Sequence, residues 1–305
     1  YGDHRDLHYP LRRQRQMCIR DSFYNCNFLS SLIALAGSQE SISISNIPLF
    51  GLVVILIFII QWFVFIPSFI NRTEHFFDLT GSLTFISTVL FTLMVIPEIY
   101  LRDVVIALLV IIWAVRLGSF LFLRVRKDGG DGRFDIMKTK FWWFLMTWNI
   151  QGMWVFLSLA AGLAAMTSNQ KLEADIFLLI GLVIWIIGFA IEVIADNQKS
   201  KFRSNSENKD KFISTGIWSW SRHPNYFGEI LLWIGITIIA LPVLQGWQFI
   251  TLISPIFIIF LLTQVSGVRL LELRGKKKWG DNEDCLLYTS PSPRDATLGR
   301  MPGSG

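Results

Sequence analysis

Apolar positions in this chain gather into seven long blocks with polar stretches between them: Ile47–Ile70, Leu79–Ile96, Val104–Leu123, Phe141–Met166, Ile176–Ala195, Tyr226–Leu244 and Phe249–Val268. Each is close to the ~20 residues that carry a helix across a ~30 Å hydrocarbon core. Seven in series predict an all-α, polytopic transmembrane helix bundle and argue against buried helices of a soluble core. A shorter run, Phe28–Gly37, reads as an eighth span or its remnant. Composition agrees: charged residues make up 17% of the chain, against about 25% in soluble domains.

Both ends differ from the middle. Tyr1–Ser22 shows no helical period and no signal-peptide layout, and Cys285–Gly305 is equally patternless. Both strings resemble translated sequencing-adapter read-through. The expected organisation is therefore a non-native tail over 1–22, one transmembrane domain over 23–284, and a second non-native tail over 285–305. The tails hold 7 of the 28 Lys and Arg and 4 of the 23 Asp and Glu. The middle keeps 21 basic and 19 acidic residues, a net +2 rather than +5. That balance gives no argument for nucleic acid. Cys26 is the one cysteine left outside the tails, so neither a disulfide framework nor a cysteine metal site is expected. No metal-ligand spacing, Walker loop or G-x-G-x-x-G is present.

Basic residues alternate between loops. They crowd after the third block (Arg124, Arg126, Lys127, Arg133, Lys138, Lys140), after the fifth (Lys199, Lys201, Arg203, Lys209, Lys211, Arg222) and after the seventh (Arg269, Arg274, Lys276, Lys277, Lys278). The intervening loops, Pro97–Asp103, Thr167–Asp175 and Gln245–Gln248, are short or nearly uncharged. The positive-inside rule places the basic set in the cytoplasm, and every block then crosses once. An integral protein of a bacterial inner membrane is expected. Membrane lipids are its surroundings, and no obligate protein partner is expected.

Candidate chemistry sits at the cytoplasmic mouth of the sixth block, in Ser221-Arg222-His223-Pro224-Asn225-Tyr226-Phe227-Gly228-Glu229. Pro224 suits the first turn of a helix. The helix start, its amides and Arg222 and His223 form an anion-friendly geometry. Glu229 lies four residues after Asn225, on the same face. The fifth block contributes Glu192 and Asp196, also four apart, followed by Gln198, Lys199 and Arg203. Arg gives bidentate contacts to phosphate, and the mixture of basic, acidic and amide residues favours a shaped site over a polybasic run. In the first half, Glu74, His75 and Asp78 precede the second block, and Trp113 and Arg116 lie late in the third. Ionisable groups inside a span are costly and mark function by default.

Taken together, Phe77-Asp78-Leu79-Thr80-Gly81-Ser82-Leu83-Thr84, Arg116-Leu117-Gly118, Ala195-Asp196-Asn197-Gln198-Lys199-Ser200-Lys201-Phe202-Arg203, Gly216-Ile217-Trp218 with Ser221–Glu229, and Lys277-Lys278-Trp279-Gly280 resemble an uncharacterised bacterial membrane family related to the steroid 5-alpha-reductases. The resemblance runs from about Pro48 to Asp284. His-Pro-x-Tyr-x-Gly alone is less specific, because isoprenylcysteine and phospholipid methyltransferases share it. The resemblance implies a seven-helix fold and NADPH-dependent reduction of a carbon–carbon double bond conjugated to a carbonyl in a lipophilic small molecule. The C-terminal half would hold the cofactor and the N-terminal half the lipid. It implies cofactor contacts from Asp196, Arg203, Asn225 and Glu229, with Arg116 and Arg269 as looser matches; Arg222, His223 and Tyr226 stand beside them as cofactor-binding candidates on their local chemistry. It further implies a carbonyl-polarising acid at Glu74 or Asp78 and places Trp113 in the substrate pocket, where the reductases have a tyrosine. A short tyrosine-bearing tail beyond Asp284 would be missing. Two other readings stand beside this one: an S-adenosylmethionine-dependent methyltransferase, and a non-catalytic lipid-binding protein.

Overall fold

A computed structural model describes residues 5–128, 132, 134–208, 211–265, 267, 268 and 271, with side chains from Arg20 onward except Lys127 and Asp128. The architecture is all-α. Helix α1 (Arg5–Ser38) leads into a two-residue hairpin, β1 (Ser43–Ile44) and β2 (Ile47–Pro48). Then follow α2 (Leu49–Ile70), α3 (Phe77–Val95), α4 (Leu101–Asp128), α5 (Phe141–Thr167), α6 (Ile176–Ser204), α7 (Pro224–Ala240) and α8 (Ile253–Phe260). Among the described residues, seven helical stretches are long and apolar enough to cross a membrane: Leu49–Ile70, Phe77–Val95, Leu101–Arg126, Phe141–Thr167, Ile176–Ser204, Pro224–Val243 and Gly246–Val265. The chain is a polytopic membrane protein, and each span overlies one of the apolar blocks.

Five details differ from the sequence expectation. Helix α1 begins at Arg5, inside a stretch expected to lack helical period. Its Arg, Gln, Leu and Met are good helix formers without an apolar stripe, so period alone does not reveal it. The Phe28–Gly37 run is the last part of α1 and is not among the seven spans. Ile47 belongs to β2 rather than to a span. Ser45 (φ 49°) and Asn46 (φ 68°) form the hairpin turn, which needs left-handed backbone at both positions. The seventh span is not one regular helix: a 3₁₀ segment (Gly246–Leu252) precedes α8, and a π-helical turn (Leu261–Val265) follows it. Finally, α6 continues nine residues past Ala195, because nothing in Asp196–Ser204 breaks a helix. At 29 residues it is about 44 Å long, longer than a ~30 Å core requires.

The chain divides into two units, Tyr1–Trp185 with Trp233–Phe257, and Ile186–Leu232 with Ile258–Gly305. In the first, α5 is the central helix, buried along most of its length from Val155 to Thr167, with α1, α2 and α3 against it and α3 along α4. Glycines permit the closest approaches. A Cβ on Gly118 of α4 would meet Ser82 Oγ of α3 at 2.5 Å, and one on Gly81 would meet Gln151 Nε2 at 2.6 Å. Two pieces of the Gly81-Ser82 and Arg116-Leu117-Gly118 motifs thus serve helix packing.

One end of the first unit carries a largely buried charge network. Arg102 pairs with Asp175 (2.9 Å) and donates to the carbonyl oxygens of Ile239 and Glu173. Lys171 donates to both carboxylate oxygens of Asp103 (2.9 and 3.0 Å) and to Met166 O (2.8 Å). Asp103 also accepts the Tyr100 N–H. Arg102 and Asp103 are 3% and 1% exposed. The sequence marks these loops as short or nearly uncharged, and their shortness holds two acids and two bases close enough to neutralise one another.

Candidate functional site

The second unit assembles most of the predicted cofactor residues. A Cβ on Gly188 of α6 would fall 2.7 Å from Gly228 O, and one on Gly228 of α7 would fall 2.7 Å from Glu192 N. Only glycine lets the two backbones come this near. The order of the contacts makes the helices antiparallel, so α6 residues after Gly188 run toward the start of α7. Pro224 is the first residue of α7, and His223 O accepts the Phe227 N–H. His223 is therefore the helix cap, as the proline predicted. Its ring stacks on Tyr226, with centroids 5.7 Å apart and planes at 19°.

The segment before α7 is docked on the polar end of α6. Gly216 has φ +64°, a left-handed conformation that favours glycine, and lies against the Gln198 carboxamide. Gln198 Oε1 accepts the Ile217 N–H (3.2 Å), and Trp218 Nε1 donates to Ala195 O (3.0 Å). Lys199 Nζ sits 4.8 Å from the Trp218 ring centroid, a cation–π geometry. The motif residues Gly216, Ile217 and Trp218 thus build a short shelf on α6. Gln198 and Lys199, which the sequence named without a role, hold the shelf in place.

Within this unit Glu192 and Asp196 are buried, Arg222, His223, Asn225, Tyr226 and Glu229 are half-buried, and Arg203 is exposed in the last turn of α6. Asn225 Oδ1 is buried without a hydrogen-bond partner. Arg269 lies outside the described residues. A Cβ on Gly267 would touch the Tyr226 ring at 3.0 Å.

The remaining predicted residues belong to the first unit. The chain leaves α2 through Arg72 in left-handed conformation (φ 50°), with Thr73 N donating to Ser68 O. This turn presents Glu74, whose carboxylate accepts from Lys138 Nζ at 2.9 Å. Glu74 first, then Asp135, holds the Lys138 ammonium above its ordinary pKa. Asp78 is half-buried in the first turn of α3. Arg116 lies over Phe120 at 5.5 Å. Trp113 is 1% exposed, edge-on to Phe85 and Trp233 with centroids 5.0 Å away in each case.

Sequence reasoning passed over the amides of the first unit. Gln61, Asn149 and Gln151 are buried in α2 and α5. Their signal in the sequence is that a polar side chain in an apolar span is costly whether or not it ionises.

Comparison with known proteins agrees with these motifs. Over 71 residues the chain is 31% identical to the 3-oxo-5-alpha-steroid 4-dehydrogenase 1 of Bos taurus, covering 23% of this chain and 27% of that protein. Over 132 residues it is 26% identical to the probable O-methyltransferase ustE of Ustilaginoidea virens, covering 34% and 46%. The chain therefore matches less than half the length of each of these curated relatives. No solved structure matches significantly. The family model described as protein of unknown function (DUF1295) matches residues 62–290, most of the chain, and the protein belongs to that family.

Proposed function

We propose that the protein is an integral membrane oxidoreductase that reduces a conjugated carbon–carbon double bond in a lipophilic substrate with NADPH. The observation that carries this reading is the mixed set at the start of α7. It combines cations and helix-start N–H groups for phosphate with buried acceptors for ribose hydroxyls and an amide. Lys199 and Arg222 supply positive charge, and the first turn of α7 supplies N–H donors. Glu192, Asp196 and Glu229 supply carboxylates. Asn225 Oδ1 is a buried acceptor without a partner, which suits the amide N–H of a nicotinamide. When bound, NADPH would supply the hydride.

The chain's own residues bind, orient and polarise. Negative charge developing on a substrate carbonyl oxygen needs a donor already in place, worth about 10²–10³ in rate. Asp78 or Glu74 takes that role as a protonated carboxyl group; Glu74 also accepts from Lys138 Nζ. The positive-inside rule, applied to the basic loops, supports a cofactor side that faces the cytoplasm.

A second reading, transfer of a methyl group from S-adenosylmethionine, is favoured by the fungal relative. Against it stands the cationic set, which suits phosphates better than a sulfonium. A thermal-shift comparison of NADPH and S-adenosylmethionine on the purified protein separates the two, since a ligand that binds the folded state stabilises it. The reading expects stabilisation by NADPH, and a loss of affinity of about tenfold in Asn225→Ala and Glu229→Gln, in line with one buried hydrogen bond each. Stabilisation by S-adenosylmethionine alone would overturn it.

A further inference from the structure

Most buried hydroxyls in the first unit follow one rule. Thr80, Thr84, Thr88 and Thr92 each donate to the carbonyl four residues back along α3. Ser254 enters the α5 ladder, accepting the Ala161 N–H and donating to Leu157 O. Each is satisfied, so each is cheap to bury.

Three carboxamides break the rule, and each does so by halves. Gln61 Nε2 donates to Thr84 Oγ1 (2.8 Å), and Gln151 Nε2 donates to Phe77 O (2.8 Å). Asn149 Oδ1 accepts from Trp62 Nε1 (3.4 Å). Their other halves, Gln61 Oε1, Gln151 Oε1 and Asn149 Nδ2, are buried with no partner. So are the indole nitrogens of Trp113 and Trp233. Rotating the amides cures nothing. Gln151 would turn its oxygen on the Phe77 carbonyl, and Asn149 would turn its NH₂ on the Trp62 N–H. Gln61 would face a Thr84 hydroxyl whose hydrogen is already given to Thr80 O.

Four of the five side chains border one stretch of α3, and Asn149 lies two residues before Gln151 on α5, bonded to Trp62, which follows Gln61 on α2. Gly81 abuts Gln151, Thr84 holds Gln61, and the Phe85 ring lies 5.0 Å from Trp113 and 5.7 Å from Trp233. Gly152 brings the backbone beside Gln151 toward Gln61, whose Cγ would be 3.3 Å from a Cβ there. The near-perpendicular contact of Trp113 and Trp233 offers an indole N–H at most a ring face. The amides have no such substitute. Each orphan is a buried polar group whose desolvation nothing offsets, and hydrocarbon supplies no water to relieve it.

We propose that Gln61, Asn149 and Gln151, with the indoles of Trp113 and Trp233, recognise an uncharged lipid-soluble molecule that carries both a carbonyl and a hydroxyl group. The orphan amide oxygens accept the hydroxyl hydrogen. The Asn149 NH₂ and the indole N–H groups donate to the carbonyl. None of the five is charged, which selects against a fatty acid or a phospholipid headgroup. The proposal rests on the reductase reading only in taking this molecule as the substrate.

The test uses the full chain in detergent and two steroid probes, testosterone and androst-4-en-3-one, which lacks the hydroxyl. Binding is read by equilibrium dialysis. Wild type should prefer testosterone by at least about tenfold, one hydrogen bond's worth. Gln61→Met and Gln151→Met should each bring the ratio to within about threefold, and Asn149→Leu should weaken both probes about tenfold. Equal affinity of wild type for the two probes, no binding of either, or an unchanged ratio in both glutamine variants overturns the proposal. The wild-type ratio needs no variant to fold. The NADPH thermal shift, measured in parallel, reports the second unit. Its loss with probe discrimination intact sinks the reductase reading alone, and the reverse result sinks this proposal alone.

Discussion

The charge network of Arg102, Asp103, Lys171 and Asp175 and the amide set of Gln61, Asn149 and Gln151 are both largely buried parts of the first unit, yet they treat polarity in opposite ways. In the network, ions that would be costly singly are matched. Lys171 spends its donors on Asp103 and Met166 O, and among the network's side-chain atoms only Arg102 Nε is left over. In the amide set nothing is charged, yet every carboxamide keeps one unmatched half. The network behaves as a closed structural lock, whereas the amides keep hydrogen-bonding capacity that the fold itself does not use. Buried polarity therefore does not mark a binding site by its charge. What marks it is whether the protein satisfies it.

The largest effect expected from breaking this comparison is in the lock. Arg102→Met leaves Asp175 and two carbonyls without their partner, and Lys171→Met leaves the Asp103 carboxylate unpaired at 1% exposure. Loss of one member of a buried pair costs about 3–5 kcal/mol. Either variant should show it as a clear fall in detergent unfolding midpoint. Arg102→Met should sit at the lower end, because Asp175 is partly exposed. An unchanged midpoint would mean that the network is not a lock.

Acid should weaken the same lock by a smaller amount. Burial pushes the Asp175 carboxyl up, but the Leu178 N–H and the Arg102 guanidinium outweigh it and hold the group below its ordinary value of 3.8. A depressed carboxyl contributes stability that is present above its unfolded pKa and lost as pH falls through the folded one. Unfolding midpoints should stay level from neutral pH to about pH 4 as far as this group is concerned, then fall. In Asp175→Asn the neutral-pH midpoint should drop and the acid slope flatten. A parallel slope in that variant would assign the acid loss to other carboxylates.

The amides should respond the other way. Each exchange of Gln61 or Gln151 for Met removes one made hydrogen bond and one orphan together. Their costs are of similar size, about 1 kcal/mol, so the unfolding midpoint should barely move. A loss near that of Arg102→Met would show that the amides are structural.

Much of this was legible in the sequence, for physical reasons that differ by element. The seven spans were legible because a lipid-crossing helix must be apolar for some twenty residues, and apart from the nine-residue extension of α6 their observed limits lie within a few residues of the apolar blocks. The start of α7 was legible through Pro224. The polar extension of α6 was not, because Asn197–Ser204 carries neither an apolar pattern nor a breaker. The hairpin at Ser45-Asn46 lacks the glycine that usually announces such a turn. At the candidate site, local spacing put His223, Asn225 and Tyr226 at the start of α7, where they lie. The shelf of Gly216–Trp218 on Ala195–Lys199 joins segments some twenty residues apart, and no local pattern encodes it.

The smallest effect is the one that separates Glu74 from Asp78. Lys138 reaches Glu74 at 2.9 Å and Asp135 at 3.0 Å while itself partly exposed, so solvent screens the pair and its worth is within about 1 kcal/mol. The ammonium is held above 10.5, chiefly by Glu74. A base raised in the folded state contributes stability that is full below its unfolded pKa and lost as pH rises through the folded one. Glu74→Gln should therefore cost little at neutral pH and shrink the alkaline loss of stability above about pH 10.5. If Glu74 serves the turn after α2, this variant keeps its turnover of an enone probe, while Asp78→Asn loses about 10²-fold or more with its fold intact. Loss of turnover in Glu74→Gln alone, with the alkaline limb unchanged, would assign the acid to Glu74 and make Lys138 the residue that positions it.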